Sequence, residues 1–369
     1  MENFLSISCQ HETAEAVITD CLQQLESIPT ECNFGFIYAT DAMSAEYPDL
    51  LQQCKRKTGI KHWLGTLGLG IIAGEKELYD QPAVSIMLAQ FDLNELTMLP
   101  LIKSIGDLDS VQWPHTFFTN FGILHGDPHY QHTQHLIEDI QQQVDECFLV
   151  GGLTSSRDQQ YQVADELFSG GVSGVFFSEN IPVLTNLSQG CSPLGVKYTV
   201  TRASDNVLFS LDKRPALDVL MQEFNIADVS ELKQRAAEVF TGLCIPNSDK
   251  SDYTVRNLVE VDLERKLFAI NDRISEGDEM IFCERNEETA VKDLQQMLDN
   301  ISSRLNKKPK GGLYISCLGR GREQFGHNSE EINMIHNTLG DFPLTGFFAN
   351  GEIHHNKLYG YTGVLTLFI

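Results

Sequence analysis

The sequence predicts an α/β protein made of two related halves, with mixed sheets packed together and helices on the outside. Apolar residues make up 42% of the 369 residues, enough to bury sizeable cores. Runs typical of buried strands alternate with segments of helical periodicity. One order of elements (strand, helix, strand, glycine turn, strand) occurs twice along the chain. The length favours more than one domain.

The first half starts with a helical pattern over residues 14–28, where apolar side chains recur at helical spacing. FGFIYAT (34–40) is typical of a buried strand, and Ser44 can cap the helix that follows. The glycine-rich run HWLGTLGLGIIAG (62–74) comes next, and PAVSIMLAQF (82–91) predicts another strand. Together these elements resemble a weaker copy of the order described above.

The order then restarts. The next predicted elements are the strand HTFFTNFG (115–122), the helix TQHLIEDIQQQV (133–144), the strand CFLVGGLTSS (147–156) with its Gly-Ser turn, and the strand FSGGVSGVFFS (168–178). Beyond Cys191 the pattern of apolar and polar residues changes, and KYTVTRASDNVLFSLD predicts a hairpin. Pro215 suits the first turn of a helix. The remaining predicted elements are a helix over 230–240, strands over 258–270 and 279–285, a helix over 288–305 and the strand GLYISC (312–317).

An internal repeat relates the two halves. Gly151 in FLVGGLTSSR matches Gly346 in PLTGFFANGE at an offset of 195 residues, and Gly174 matches Gly363 at an offset of 189. The repeat predicts that residues 116–178 and 313–368 share one strand order. The predicted domains are an N-terminal helical segment over 1–29, a first domain over 30–192 and a second over 193–369.

Charge and cysteine content restrict the function classes. With 27 basic and 51 acidic side chains the net charge is −24, a field that repels phosphate backbones and argues against a nucleic-acid partner. Nine cysteines without a CxxC motif indicate a reducing compartment. The N-terminus lacks the pattern of a signal peptide, and no run approaches the ~20 apolar residues of a membrane span. We therefore expect a cytoplasmic protein without a membrane partner.

The stretch CLGRGREQFG (317–326) carries the strongest candidate site. Cys317 ends a strand, and glycines in the following loop allow close backbone approach to a ligand. Loop N–H groups and two arginines suit an anion such as a carboxylate, and they would lower the pKa of the thiol. The alternative is an ordinary strand-to-helix turn with solvated arginines. The turn Asn350-Gly351-Glu352 can present a counter-charge, and the turn after the first-half strand offers two hydroxyls. The predicted ligand-binding residues are Cys317, Gly319, Arg320, Gly321, Arg322, Asn350, Gly351, Glu352, Ser155 and Ser156.

Histidines cluster at His125, His129, His132 and His135, with Asp127 among them. His132 and His135 have a spacing that can bind a metal, but a solvated polar loop is favoured, so neither a metal nor a cofactor is expected. GxSxG, HExxH and phosphate-loop motifs are absent from the sequence.

Several of these stretches resemble the FIST family. CLGRG (317–321), PLTGFFANGEI (343–353), YTGVLTLF (361–368) and VTRASDNVLFSLDKRPALDVL (200–220) resemble the C-terminal FIST domain, and VGGLTSS (150–156) and SGGVSGVFFS (169–178) are similar to the N-terminal one. WLGTLGLGI (63–71) departs from the family pattern because it lacks a cysteine and a glutamate often found in that turn. The resemblance implies an intracellular sensory or signal-transduction module that binds a small ligand, with amino acids as proposed ligands.

Three functions remain open at this point. A stand-alone sensor must pass its signal to a separate protein, and this function is favoured over an enzyme because no acid–base pair has recognisable spacing. The second is a cysteine-dependent hydrolase or transferase, with Cys317 as nucleophile and a nearby histidine as base. The third is an interaction protein that uses its acidic surface. A histidine nitrogen beside the Cys317 sulfur would favour the enzyme, and a cleft lined by arginine, glutamate and backbone groups would favour the sensor.

Overall fold

The computed structural model describes residues 4–28, 31–111, 119–144, 147–235, 238–245 and 253–369. They form two compact units, of which the first combines Met1–Ser188 with Leu294–Ile369 and the second is Gln189–Asp293. The second unit begins close to the predicted boundary between the halves. The chain then returns to the first unit at Leu294, so the C-terminal repeat packs with the N-terminal part of the chain.

The strands, in chain order, are β1 (Phe4–Gln10), β2 (Phe34–Thr40), β3 (His62–Gly68), β4 (Gly70–Ala73), β5 (Lys76–Tyr79), β6 (Ala83–Ala89), β7 (Leu96–Ile102), β8 (Thr119–Gly126), β9 (Phe148–Leu153), β10 (Gln162–Ala164), β11 (Glu166–Phe168), β12 (Val172–Ser178), β13 (Val183–Gln189), β14 (Ser192–Ser204), β15 (Val207–Leu211), β16 (Arg214–Pro215), β17 (Val239–Cys244), β18 (Tyr253–Asp262), β19 (Leu267–Ile270), β20 (Glu279–Glu284), β21 (Gly311–Cys317), β22 (Leu344–Ala349), β23 (Glu352–His354), β24 (Lys357–Tyr359) and β25 (Thr362–Phe368). The α-helices are α1 (Ala14–Leu25), α2 (Tyr47–Thr58), α3 (Thr133–Gln143), α4 (Ala216–Glu223), α5 (Val229–Gln234), α6 (Glu287–Arg304) and α7 (Glu330–Leu339).

The first unit contains three mixed sheets of the same design. Their strand orders are β1-β6-β2-β3-β10-β11, β7-β12-β8-β9-β23-β24 and β13-β25-β21-β22-β4-β5. In each sheet the two central strands are parallel and are joined by a crossover helix, α2, α3 or α7, while the strands beside them run antiparallel. The predicted α/β class and the predicted common strand order are confirmed. The copy that contains β2, β3 and β6, whose sequence resembles the other two copies least, has the same strand order.

Each copy lends a hairpin to the sheet of another copy. The hairpin β4-β5 follows β3 in the chain but pairs with β22, the hairpin β10-β11 follows β9 but pairs with β3, and β23-β24 follows β22 but pairs with β9. The exchange is cyclic, so none of the three sheets is complete without a segment from another copy.

Glycines mark equivalent positions where parallel strands approach closely. In the parallel pairs Gly151 lies opposite Leu124 and Gly346 opposite Tyr314. A β-carbon on either glycine would lie 1.8 Å from the carbonyl oxygen of its partner. Only glycine fits there, which explains the repeated glycine in the sequence.

The second glycine match was wrong by two residues. Leu124 pairs with Gly174, whereas its equivalent, Tyr314, pairs with Leu365. Gly363 is required for a different reason, because a β-carbon there would lie 2.1 Å from the Tyr314 hydroxyl. At Gly174 the close neighbour is instead a backbone carbonyl oxygen.

One hydrophobic core is shared by all three sheets of the first unit. Its aromatic members include Phe36 from β2, Phe177 from β12 and Phe347 from β22, each fully buried. Helices cover the outer faces. α1 and α2 pack through Cys21, Leu51 and neighbouring apolar side chains, and α3 packs through Ile137 and Ile140. This arrangement matches the predicted helices outside packed sheets.

The second unit is a closed antiparallel barrel. Its strands follow the order β14-β20-β17-β18-β19-β15, and β14 also pairs with β15, which closes the ring. Phe268 and Phe282 fill its core, and Leu217 and Leu220 of α4 pack against them. The predicted hairpin and the helix after Pro215 lie in this barrel.

Several predicted elements differ in extent. The segment 1–29 includes the strand β1 before its helix. The predicted strand over 258–270 is two strands joined by a turn, because Asp262 accepts the N–H of Arg265 and Lys266 adopts a left-handed φ of 57°. The helix predicted over 230–240 ends at Gln234. Of the strand predicted over 115–122, residues 115–118 lie outside the described residues.

Candidate functional site

The loops that follow the second parallel strand of each copy meet at one point. The Ser155 hydroxyl accepts a hydrogen bond from the Leu69 N–H at 3.0 Å and donates one to the carbonyl oxygen of Phe348. These residues lie at or just beyond the ends of β9, β3 and β22. Ligands of open α/β sheets bind beyond the carboxyl ends of the strands, so this junction is where a site is expected.

A cleft of about 290 Å³ lies at this end of the sheets. Copy 1 (β2 to β6) contributes a turn and the end of its exchanged hairpin, copy 2 (β8 to β12) contributes one arginine, and copy 3 (β21 to β25) contributes the loop after β21. The lining residues are Leu69, Tyr79, Asp80, Arg157, Leu318, Arg322 and Glu323. The volume suits a small metabolite.

Arg322 is the predicted site residue that lines the cleft. Its guanidinium stacks over the Tyr79 ring at 4.4 Å and pairs with Asp80 and, at 3.4 Å, with Glu323. The hydrogen bond from Arg322 lowers the pKa of Asp80, and the more distant Arg157 acts in the same direction. The cleft therefore presents an oriented cation beside an exposed carboxylate.

Arg157 is a second cation in the cleft, and it is not among the residues predicted from the sequence. Its Nε and Nη2 bind the two oxygens of Asp41 at 2.6 and 2.8 Å, a bidentate pair. The Asp41 carboxyl is buried, whereas the Arg157 side chain is 66% exposed. A cation held from behind by a buried carboxylate keeps its outer edge available to a ligand. The sequence signal was the arginine directly after the Gly-Ser turn.

Arg320 is fully buried and does not line the cleft. Its Nε donates to Glu331 at 2.8 Å, and its Nη2 lies 2.7 Å from the same carboxylate. Nη2 also donates to Ser188 at 3.2 Å, and the guanidinium lies 4.9 Å from the centre of the Phe325 ring. Arg320 Nη1 is buried and has no hydrogen-bond partner among the residues that the structure describes. The ion pair fixes the loop after β21 from within.

Glu352 is also fully buried. One carboxyl oxygen accepts from the Thr362 N–H at 3.1 Å and from the Thr362 hydroxyl at 2.8 Å, and the Cys317 thiol lies beside the carboxyl. Burial raises the pKa of Glu352 to about 8. Among the described residues neither arginine of the loop hydrogen-bonds Glu352, so the pair expected from sequence is not formed.

The pKa of Cys317 is raised, whereas a lowered pKa was expected from the sequence. Burial is the main cause, and the neighbouring Glu352 carboxyl adds to it. The backbone N–H groups of Gly319 and Tyr361 oppose the shift but do not reverse it. Arg320 also lowers the pKa of the thiol, as expected from the sequence, but burial outweighs its effect. The thiol is therefore a poor nucleophile at neutral pH.

Equivalent positions in the other copies indicate a structural role for Cys317. Thr40 and Asp127 occupy the same place at the end of the first parallel strand. Thr40 Oγ1 accepts the Ala83 N–H at 3.0 Å, and Asp127 Oδ2 accepts the Gly170 N–H at 3.0 Å. In all three copies this side chain ties down the turn before the last strand of the copy. Among the described residues no histidine hydrogen-bonds the Cys317 thiol.

The remaining predicted residues shape the loops. Asn350 is exposed, its N–H donates to Leu153 at 3.0 Å, and Gly351 accepts the Leu153 N–H at 2.9 Å. Gly321 is buried with a φ of 52°, and a β-carbon there would lie 2.2 Å from the Tyr79 hydroxyl. Ser156 is half-buried and accepts the N–H of the residue two positions ahead.

The histidine cluster is scattered by the fold. His125 is fully buried, bonds the Tyr38 hydroxyl at 3.2 Å, and has its pKa lowered to about 3 by burial. His129, His132 and His135 are exposed. Within the described ranges no group of three or more potential ligands is arranged for a metal ion. In the same ranges no helix is both long and apolar enough to cross a membrane.

Comparison with known proteins gives the chain its family. The FIST N domain model matches residues 33–214 and the FIST C domain model matches residues 216–355. These matches meet further along the chain than the predicted boundary at 192/193.

Relatives match over most of the chain. An uncharacterized protein of Mycobacterium tuberculosis is 30% identical over 339 residues, covering 87% of each chain. An uncharacterized protein of Mycobacterium bovis is 30% identical over 323 residues, covering 83% of this chain and 82% of its own. A crystal structure of a cyanuric acid hydrolase from A. caulinodans matches with a TM-score of 0.30 and 8% identity over 100% of this chain and 99% of the other, a likeness too weak to carry an argument. From the two domain matches and these relatives, the chain belongs to the FIST family.

Proposed function

We propose that this protein is an intracellular sensor that binds a small charged metabolite, such as an amino acid, in the cleft at the carboxyl ends of its strands. FIST domains are generally signal-transduction sensor domains. The observation that carries the proposal is the pair of arginines, Arg157 and Arg322, in one small cleft with exposed carboxylates beside them. Guanidinium groups suit a ligand carboxylate, and Glu323 suits a positively charged group.

The signal would pass to a separate protein. A ligand that joins copies 2 and 3 across the cleft would stabilise one arrangement of the loops, and a partner could recognise that arrangement. No disulfide joins the cysteines of the described residues, which agrees with a reducing, cytoplasmic location.

Thermal unfolding with a panel of amino acids and short carboxylic acids tests the proposal. A ligand that binds only the native state raises stability by ~2.7 kcal/mol at one hundred times its dissociation constant. We expect at least one compound to raise the melting temperature of the natural protein. The variant Arg322→Ala should lose this response, because it removes one of the two cations that face the cleft.

A matched control comes from the second unit. Arg265 is 80% exposed and weakly paired with Asp262, so Arg265→Ala removes a surface cation outside the cleft. It should keep the full ligand response. Equal responses in both variants would place the binding site elsewhere, and no response to any compound would contradict the proposed sensor.

The cysteine-dependent enzyme is less well supported. Its nucleophile would be Cys317, whose pKa is raised and whose position corresponds to structural side chains in the other two copies. The Cys317→Ser variant should therefore retain ligand-induced stabilisation.

A further inference from the structure

We propose that, without ligand, the Asp80 carboxylate occupies the position in the cleft that the carboxylate of the ligand takes on binding. The ligand is then a small organic anion that displaces Asp80 from Arg322. The inference rests on the proposed function, since it assumes that the cleft binds a small metabolite. It adds which group of the ligand is anchored and which residue of the protein competes with it.

Asp80 lies where a ligand carboxylate would bind, which we call its stand-in role. It directly follows β5, at the end of the exchanged hairpin opposite its turn, in a left-handed conformation with a φ of 61°. Its side chain is 58% exposed, and its carboxylate binds Arg322 directly. Both Asp80 and Arg157 line the cleft, and Arg157 is close enough to stabilise the Asp80 anion. The carboxylate thus occupies the field of both arginines.

Both arginines stay oriented when Asp80 leaves. Arg157 is held by its two short bonds to the buried Asp41 carboxylate. Arg322 remains stacked on Tyr79 and paired with Glu323. Two preorganised guanidinium groups would then face the cleft, which is the arrangement that binds a carboxylate through parallel hydrogen bonds.

The pair formed by Asp80 and Arg322 is easily exchanged. Its carboxylate is mostly exposed, and exposed ion pairs contribute little to stability. Leu69 and Leu318 add an apolar wall suited to a short aliphatic segment. These features describe a short-chain carboxylate, with or without an amino group, as the class of ligand.

Isothermal titration with three probes separates the possibilities. Succinate carries carboxylates without an amine, L-glutamate carries both groups, and butane-1,4-diamine carries amines alone. In Asp80→Asn we expect the dissociation constant for succinate to fall about fivefold, the factor that corresponds to ~1 kcal/mol for an exposed ion pair. Asparagine tolerates a left-handed φ, so the backbone conformation after β5 is preserved.

The control is Asp262→Asn, which removes a half-buried carboxylate paired with Arg265 in the second unit and should leave all three affinities unchanged. If the natural protein binds succinate or glutamate and Asp80→Asn binds it no more tightly, the stand-in role is wrong and the sensor stands. Binding of the diamine alone would also overturn the inference while leaving a ligand site. If no probe binds either protein, both the inference and a metabolite site in this cleft are contradicted.

Discussion

At the scale of single residues, the two arginines of the CLGRGREQFG loop exchange the roles that the sequence suggests. From the sequence, Arg320 was expected to recognise the ligand and to affect stability little. The structure buries Arg320 against Glu331, and breaking a buried pair costs ~3–5 kcal/mol because one charge is left unpaired. Arg320→Ala should therefore lose much of its free energy of unfolding in urea. Arg322→Ala should lose little, and a reversed order would show that the loop is assigned wrongly.

Glu352 predicts a pH dependence of stability. Its pKa is near the ordinary glutamate value when unfolded and about 8 when folded, so the folded state holds the extra proton between those values. Stability from this group is complete below the unfolded pKa and is lost as pH rises through 8. Glu352→Gln should be more stable than the natural protein at pH 9 by roughly 5 kcal/mol and similar at pH 5.

Urea unfolding at pH 5, 7 and 9 measures this difference. The Glu352→Gln variant retains a second carboxyl of this kind, the half-buried Glu77, whose pKa is also raised to about 8 by burial. Some pH dependence therefore persists in Glu352→Gln. The exposed Glu264→Gln variant is the control, and an equal change in both variants would contradict the assignment to burial.

Thiol reactivity follows burial and the raised pKa of each cysteine. Cys283 is fully buried, whereas Cys317 and Cys244 are half-buried, and the pKa of each thiol is raised. Iodoacetamide at neutral pH should label Cys317 faster than Cys283 but slower than Cys244, whose thiol has Lys197 rather than a buried carboxyl beside it. Peptide mapping gives the order, and labelling of Cys317 first would restore the reactive-thiol hypothesis.

At the scale of elements, the close approach of the parallel strands β21 and β22 should make Gly346 essential for stability. In Gly346→Ala the added carbon meets a backbone oxygen that no rotamer change can move away. We expect a loss of more than ~3 kcal/mol in the free energy of unfolding. Gly340→Ala is the matched control, because Gly340 also has a positive φ, of 84°, but open space around its α-carbon. This variant should lose only ~1 kcal/mol in the free energy of unfolding. Equal losses would mean that backbone conformation alone requires glycine.

Strands and helices of the repeat were largely predictable because each has its own apolar period. The sheets that β4, β10 and β23 join were not predictable. Each is a short strand that could pair with either of two sheets, and nothing in its sequence distinguishes between them. The cleft combines an exchanged hairpin with loops of two other copies. For this reason Arg322 was found from its loop, while Asp80 and Arg157 were missed.

At the scale of the whole molecule, the cyclic exchange makes the three sheets interdependent. Removing residues 294–369 deletes β21, β22 and β25, and it leaves the hairpin β4-β5 and the strand β13 without their sheet. The shared aromatic core also loses Phe347 and Phe368. A chain ending at Ser188 should therefore show no cooperative thermal transition in calorimetry. A cooperative transition near that of the full chain would mean that the first two sheets are stable alone.

The inserted barrel should be dispensable for folding of the first unit. It has its own closed ring of strands and its own core. Its ends are adjacent, because the Gln189 N–H donates to the Asp293 carboxylate at 2.6 Å. Domains are commonly inserted where the two ends lie close together.

Replacing residues 190–292 by about six flexible residues, a span that a short glycine-rich linker covers, should leave a protein with a cooperative transition and an intact response to ligand. The matched polypeptide is residues 189–293 alone, which should unfold cooperatively as well. Folding of the barrel without folding of the linked first unit would show that the insertion supports the sheets rather than interrupting them.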